Sequence, residues 1–145
     1  MAVEGRREIL VETDFLFGLN PEDRLHKYVI RLISLHKRKK LQCYLAGTAL
    51  FEFRTVLYSH GLKSSDVHEA FLIILNTLEE NDVDVISVRP KHILSADYLR
   101  TRYPELTFFD SLHAGVALEE GIPLASHDRI YERIEEISWI NLTTL

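Results

Sequence analysis

Apolar positions along the chain fall into two alternating patterns: short continuous runs, and residues recurring three and four apart. The run Ile9-Leu10-Val11 is what a strand buried on both faces presents, and Glu12 and Asp14 follow it directly. If the strand continues, alternation puts both carboxylates on one face. After Asn20-Pro21, a helix start with Pro at its first position, the residues Leu25, Tyr28, Val29, Leu32, Ile33, Leu35 and His36 have helical spacing. That helix runs into Lys37-Arg38-Lys39-Lys40, a basic end that complements the helix dipole and could also touch a phosphate backbone.

The pattern then repeats. Residues 41–45 form a second strand, and Thr48 caps a helix from 49 to about 59 that Gly61 stops. Ser64-Ser65-Asp66 opens a helix over 67–80, residues 83–88 make a third strand, and Pro90 begins a helix that must end before Pro104. A helix from 107 to Gly121, a strand at 122–126, a helix carrying Ile130, Ile134 and Ile137, and a last strand at 139–142 complete the chain. Alternating strands and helices predict an α/β fold, a three-layer α/β/α sandwich around a mainly parallel sheet of about five strands. Residues 1–145 read as one domain, with ligands expected at the C-terminal ends of the strands.

Composition narrows the class. Charged residues are 27% and hydrophobic residues 46%, a globular balance that excludes extended disorder. The single cysteine, Cys43, sits in an apolar run and reads as a core thiol, so no disulfide framework exists. No apolar stretch approaches the roughly 20 residues of a membrane span, and the N-terminus lacks a signal-peptide pattern. A cytoplasmic protein is expected. The net charge of −5 counts against a simple electrostatic coat for nucleic acid, but not against an enzyme whose carboxylates collect cations.

The acidic residues carry the candidate chemistry. Glu52 lies in a helix that is apolar almost all round, where a carboxylate needs a partner: a structural Arg or Lys, or a metal ion. Asp110 can close a capping box with Thr107, and Asp128 can cap the helix that follows it, so both have ordinary structural explanations. Glu12 and Asp14 could be a solvated strand end. What favours function is convergence at one sheet edge, where several carboxylates remain ionised only if cations neutralise them. All-oxygen sites suit Mg²⁺ or Mn²⁺.

Rival chemistries have less support. The seven histidines are scattered, without Cys partners or a His-x-x-x-His pair, and read as surface or helix-face residues rather than a zinc site. There is no glycine-rich phosphate loop and no Gly-x-Ser-x-Gly elbow. A phosphoacceptor receiver domain would want a late Lys, which is missing.

Four segments stand in a telling order: Ile9-Leu10-Val11-Glu12-Thr13-Asp14, Leu45-Ala46-Gly47-Thr48-Ala49-Leu50-Phe51-Glu52, Phe109-Asp110-Ser111-Leu112-His113-Ala114 and Leu124-Ala125-Ser126-His127-Asp128. In that order they resemble the four motifs of the PIN-domain family, which includes the VapC-like toxin nucleases. The resemblance implies a metal-dependent endoribonuclease using Mg²⁺ or Mn²⁺, with Glu52, Asp110 and Asp128 as metal-binding catalytic residues. Glu12 and Asp14 share the first-motif role: Glu12 stands at the family's Asp position, leaving open which of the two is the ligand. Ser126 would hydrogen-bond a carboxylate or a metal-bound water, and Arg54 and Arg129 are either phosphate contacts or, more simply, solvent-facing charge. The resemblance also implies an RNA substrate, an antitoxin partner and a homodimer, and Phe51, Phe53, Tyr58 and Phe71, more apolar surface than one helix pair need bury, are the expected association surface. The altered first motif leaves an alternative, a catalytically silent module that binds RNA or a protein.

Overall fold

In the computed structural model, which describes residues 5–145, five parallel strands run in the order β3-β2-β1-β4-β5. They are β1 (Arg7–Val11), β2 (Leu41–Ala46), β3 (Asp84–Ile86), β4 (Leu124–Ser126) and β5 (Trp139–Asn141). Between them lie α1 (Thr13–Phe17), α2 (His26–Lys37), α3 (Thr48–Ser59), α4 (Ser64–Glu80), α5 (Pro90–Arg102) and α6 (Phe108–Glu120), with short 3₁₀ helices at Arg129–Arg133 and Leu142–Thr144.

Alternation along β1 explains the layering. Ile9 and Val11 face a core shared with Val29 and Leu32 of α2, Phe53 of α3 and Ile74 of α4. Leu10 faces the other side, with Leu99 of α5, Ala114 and Val116 of α6, and Tyr131. All three β1 residues have no exposed surface, so the central strand reads as an unbroken apolar run.

The chain steps from β1 outward to β3 with α2 and α4 on one face, then returns to place β4 on the other side of β1 with α5 and α6 across the sheet. The direction therefore reverses between β1 and β4, where parallel sheets open a crevice at their C-terminal ends. Glu12 leaves β1 and His127 leaves β4 at that crevice.

Two glycines fix the helix that carries Asp110. A Cβ on Gly115 would lie 2.6 Å from the His92 carbonyl oxygen, so only glycine lets α6 approach α5 this closely. Gly121 ends α6 in the left-handed region at φ 66°.

Several boundaries differ from the sequence reading. Strand β1 stops at Val11, because the Glu12 side chain accepts the Asp14 N–H and caps α1. The two carboxylates thus leave a strand-to-helix turn, rather than sharing a strand face. Pro21 lies in a turn, and α2 begins only at His26, since Asn20 and Asp23 side chains take up the N–H groups of Glu22 and Leu25 instead. The stretch after Asp128 closes as a single 3₁₀ turn ending at Arg133 rather than a helix through Ile137. Strand β3 is only three residues long. Thr48 begins α3 but makes no capping bond; its hydroxyl turns inward.

Cys43 is buried as expected, and burial pushes its thiol up to about 12. Phe53 is a core residue, its ring centroid 5.0 Å from that of Phe17 and 5.6 Å from that of Phe71, which removes it from the expected association surface. Phe51 stays 60% exposed. The histidines also depart from expectation. His36, His92 and His113 are buried with both ring nitrogens engaged, because each links elements distant in sequence.

Candidate metal centre

At the C-terminal ends of β1 and β4 lies a cavity of about 460 Å³ lined by Glu12, Asp14, Glu52, Asp110 and Asp128. All five carboxylates singled out in the sequence meet there. Each arrives from a different local device.

Glu12 is 6% exposed. One carboxylate oxygen caps α1 through the Asp14 N–H at 2.9 Å, and the other accepts from the Tyr131 hydroxyl at 3.1 Å. Burial, reinforced by the neighbouring Asp14 charge, raises its proton affinity well above that of an ordinary glutamate. Tyr131, fully buried beside these carboxylates, is itself held far from ionisation by burial and by the charge of Glu12. Its hydroxyl remains a donor, and it also faces Asp110 Oδ1 at 3.4 Å.

Asp14 is held from the neighbouring strand. Its Oδ2 accepts from Ser126 Oγ at 3.1 Å and from the His127 N–H at 2.7 Å. Ser126 Oγ in turn accepts the Asp128 N–H at 3.0 Å, so one buried hydroxyl ties the β1 and β4 exits together. The other oxygen, Asp14 Oδ1, is buried with no hydrogen-bond partner.

The structural roles of the two caps are present as well. Asp110 and Thr107 form the reciprocal capping box, with Asp110 Oδ2 accepting the Thr107 N–H at 3.3 Å. Asp128 Oδ1 caps the 3₁₀ turn through the Ile130 N–H at 3.0 Å. In both residues capping fixes the carboxyl group at the rim of the same cavity, so capping and cation binding are compatible roles.

Glu52 finds neither an Arg nor a Lys. Its Oε1 accepts from Thr13 Oγ1 at 2.5 Å and from His113 Nε2 at 2.8 Å. An ionised carboxylate only accepts, so Nε2 carries the proton, while Nδ1 meets the Thr48 hydroxyl at 2.7 Å. Burial works to raise the Glu52 pKa, but the hydrogen bonds from His113 and Thr13 outweigh it and hold the group below the usual glutamate range.

The sequence reading missed His113 and Tyr131. The signal for His113 was its spacing of three from Asp110, which puts both on one helix face. Tyr131 gave no local signal.

Glu12, Glu52 and His113 present ligand atoms within 4.8 Å of one another. His113 is nevertheless a poor metal ligand, since both ring nitrogens are already engaged. The oxygen donors fit a hard divalent cation better: several carboxylates share a half-enclosed cavity, and Asp14 Oδ1 is a buried anionic atom that the described protein atoms leave without a donor.

Basic side chains line the rim. Arg24, Arg129 and His127 border the cavity. Arg54 does not; it stacks over Tyr58 with its guanidinium 4.9 Å from the ring centre, because its position on α3 turns it away from Glu52.

Comparison with known proteins agrees with this architecture. A sequence model described as the PIN domain matches residues 9–137. Among solved structures, VapBC2 from Rickettsia felis bound to a DNA fragment from its promoter superposes with a TM-score of 0.69 at 16% identity, over 92% of this chain and 98% of that one. VapC20 from Mycobacterium tuberculosis, described as a sarcin-ricin loop cleaving toxin, gives 0.64 at 23% identity, over 86% and 92%. DNA-bound VapBC from Salmonella typhimurium gives 0.70 at 13% identity, over 94% and 98%. No curated protein sequence matches significantly. At these identities the structural likeness establishes the fold.

Proposed function

We propose, from the premise that the chain belongs to the PIN domain family, that it is a metal-dependent endoribonuclease hydrolysing RNA phosphodiester bonds. The observation that carries the proposal is the meeting of five carboxylates at the reversal between β1 and β4, with Asp14 Oδ1 buried and unpartnered among them.

Asp14 is the first-motif ligand in this reading. It has a free buried oxygen, whereas both oxygens of Glu12 are already engaged by protein donors. Asp14, Asp110, Asp128 and Glu52 would hold Mg²⁺ or Mn²⁺, with Glu12 beside them. When bound, the ion supplies Lewis-acid stabilisation of charge on a phosphodiester undergoing in-line displacement.

The protein's own part is positioning. Ser126 and the His127 N–H hold Asp14, Tyr131 holds Glu12, and Thr13 with His113 holds Glu52. These contacts fix the carboxylates before RNA arrives, which is what a preorganised electrostatic site requires. Arg24 and Arg129 are placed to meet phosphate oxygens.

The structural relative described as cleaving the sarcin-ricin loop favours structured RNA as the substrate class, and the VapBC relatives favour a toxin that acts in the cytoplasm and is held by an antitoxin. None of the described residues forms a helix long and apolar enough to cross a membrane. An apolar groove lined by Leu16, Phe17, Leu57, Ile73 and Ile74 adjoins the acidic cavity at Phe17 and would receive an antitoxin segment. Phe51 and Phe108, 60% and 62% exposed beside one surface hollow, would form the homodimer contact.

One observation favours a second reading. A first-motif glutamate fully engaged by its own protein, with raised proton affinity, is also what a silent module that only binds RNA or a protein would carry. Incubating the purified protein with a structured RNA and Mg²⁺ or Mn²⁺, with and without chelator, separates the two. The enzyme reading expects chelator-sensitive cleavage, and intact RNA in every lane supports the silent module.

A further inference from the structure

A basic surface lies at the end of the sheet opposite the carboxylates. Six of the seventeen Lys and Arg residues of this acidic chain gather there: Arg6, Arg7, Lys37, Arg38, Lys39 and Lys40. The fold, not only the sequence, assembles them. Arg7 opens β1 in register with Leu41, which brings the N-terminal arginines beside the basic end of α2.

At the centre is a hollow of about 320 Å³ lined by Arg6, Lys37, Lys39 and Gln42, with Asp82 its one carboxylate. Arg6 is built into it. Its Nη2 donates to the His36 carbonyl at 3.3 Å, and its Nε is buried with no acceptor among the described residues. None of the six cations has a carboxylate within salt-bridge distance among the described residues, although other arginines of this protein do.

Lys39 is set in the left-handed region at φ 60°, where the chain closes α2 through the Lys39 N–H to His36 O at 3.0 Å and the Lys40 N–H to Leu35 O at 2.9 Å. Glycine is the usual occupant of that position. A lysine there keeps a cation on a rigid turn at some conformational cost.

We infer that this surface is a second phosphate-backbone contact for RNA, engaged by substrates long enough to reach from the acidic cavity past the edge of the sheet. The inference rests on the RNA reading above. At ~3.3 Å per residue, the five residues of β1 separate the two sites by roughly 15–20 Å. A trinucleotide in the cavity cannot touch the basic surface, whereas a folded RNA can. The guanidinium and ammonium groups that line the hollow suit phosphate oxygens, and such contacts add affinity without reading sequence.

The test uses the whole protein with chelator present, so that RNA stays intact, and follows binding of a labelled hairpin RNA by fluorescence anisotropy across salt concentrations. Two variants are compared, Arg6→Gln/Lys37→Gln/Lys39→Gln and Lys37→Gln/Lys39→Gln/Lys40→Gln. The second leaves the Arg6 bond to α2 intact in case the first folds poorly. The expected result is weaker binding with a log–log salt slope shallower by about 2, near 0.7 for each lost single-strand phosphate contact. Metal-dependent cleavage of a trinucleotide should be unchanged. Unaltered affinity and salt slope in both variants would overturn the inference while leaving the nuclease reading in place. Loss of binding to anionic phospholipid vesicles with RNA binding intact would assign the surface to a membrane, and also overturn it. A wild type that neither binds nor cleaves RNA would remove both readings together.

Discussion

His113 Nε2 lies 2.8 Å from Glu52 Oε1, and this contact answers how a carboxylate is kept ionised on a largely apolar helix. The buried imidazole bridges α6 and α3, and Thr48 at the start of α3 bonds its other nitrogen at 2.7 Å. Replacing His113 by Ala should therefore destabilise the protein by about 1–3 kcal/mol, because the buried hydroxyl of Thr48 and the carboxylate both lose a partner. His113→Asn, which can restore one of the two bonds, should recover part of that loss. Chemical denaturation of the three proteins without metal checks this, and equal stability of Ala and wild type would contradict it.

Glu12 and Glu52 predict opposite pH behaviour in the metal-free protein. Glu12 binds its proton more tightly folded than unfolded, chiefly through burial, so stability should fall as pH rises above the ordinary glutamate value of about 4.3 towards the raised folded value. Glu52 is shifted down, so its contribution is present above the ordinary value and is lost as pH falls through the lower folded one. Thermal melts between pH 5 and 8 in chelator should therefore show declining stability. Glu12→Gln should flatten the slope, and added Mn²⁺ should offset it. A wild-type melting temperature that rises steadily over this range would refute the assignment.

Tyr131→Phe isolates the buried hydroxyl that serves Glu12 and faces Asp110. Loss of an outer hydrogen bond to a metal-site residue typically weakens metal affinity by about 10–100-fold. Titration of Mn²⁺ followed by electron paramagnetic resonance should show that weakening, and saturating Mn²⁺ should restore cleavage. If the residue only packs, the melting temperature will drop while the Mn²⁺ midpoint stays where it was.

Association should be visible by light scattering as a dimer, abolished by Phe51→Glu or Phe108→Glu with little change in melting temperature, since both rings are largely exposed. A monomeric wild type at high concentration would rule out the homodimer.

The sheet was legible because β1, β2 and β4 are apolar runs with helical spacings between them, and burial on both faces demands that pattern. The five acidic positions were legible because carboxylates at strand ends and on a buried helix have few inexpensive explanations. What sequence could not show was the turn at Glu12. Its carboxylate competes with strand continuation by capping α1, a choice settled by Tyr131 from 119 residues away. His113 was obscured for a related reason: a histidine on an apolar helix looks like packing until its two partners, Thr48 and Glu52, arrive from another element.

If these carboxylates bind a metal that supports RNA cleavage, Asp110→Asn separates that role from capping. Asparagine keeps an oxygen to accept the Thr107 N–H and ranks with aspartate among capping residues, so the capping box survives while one charge goes. The measurement is cleavage of a structured RNA in Mn²⁺ by wild type and variant, alongside their melting temperatures with and without the ion. Wild type should cleave and be stabilised by Mn²⁺, as linkage requires of a ligand that binds only the folded state. The variant should lose both the cleavage and the metal-dependent rise while its metal-free melting temperature hardly moves. A wild type that cleaves no RNA and gains no stability from Mg²⁺ or Mn²⁺ would overturn the nuclease reading and leave the silent module in its place.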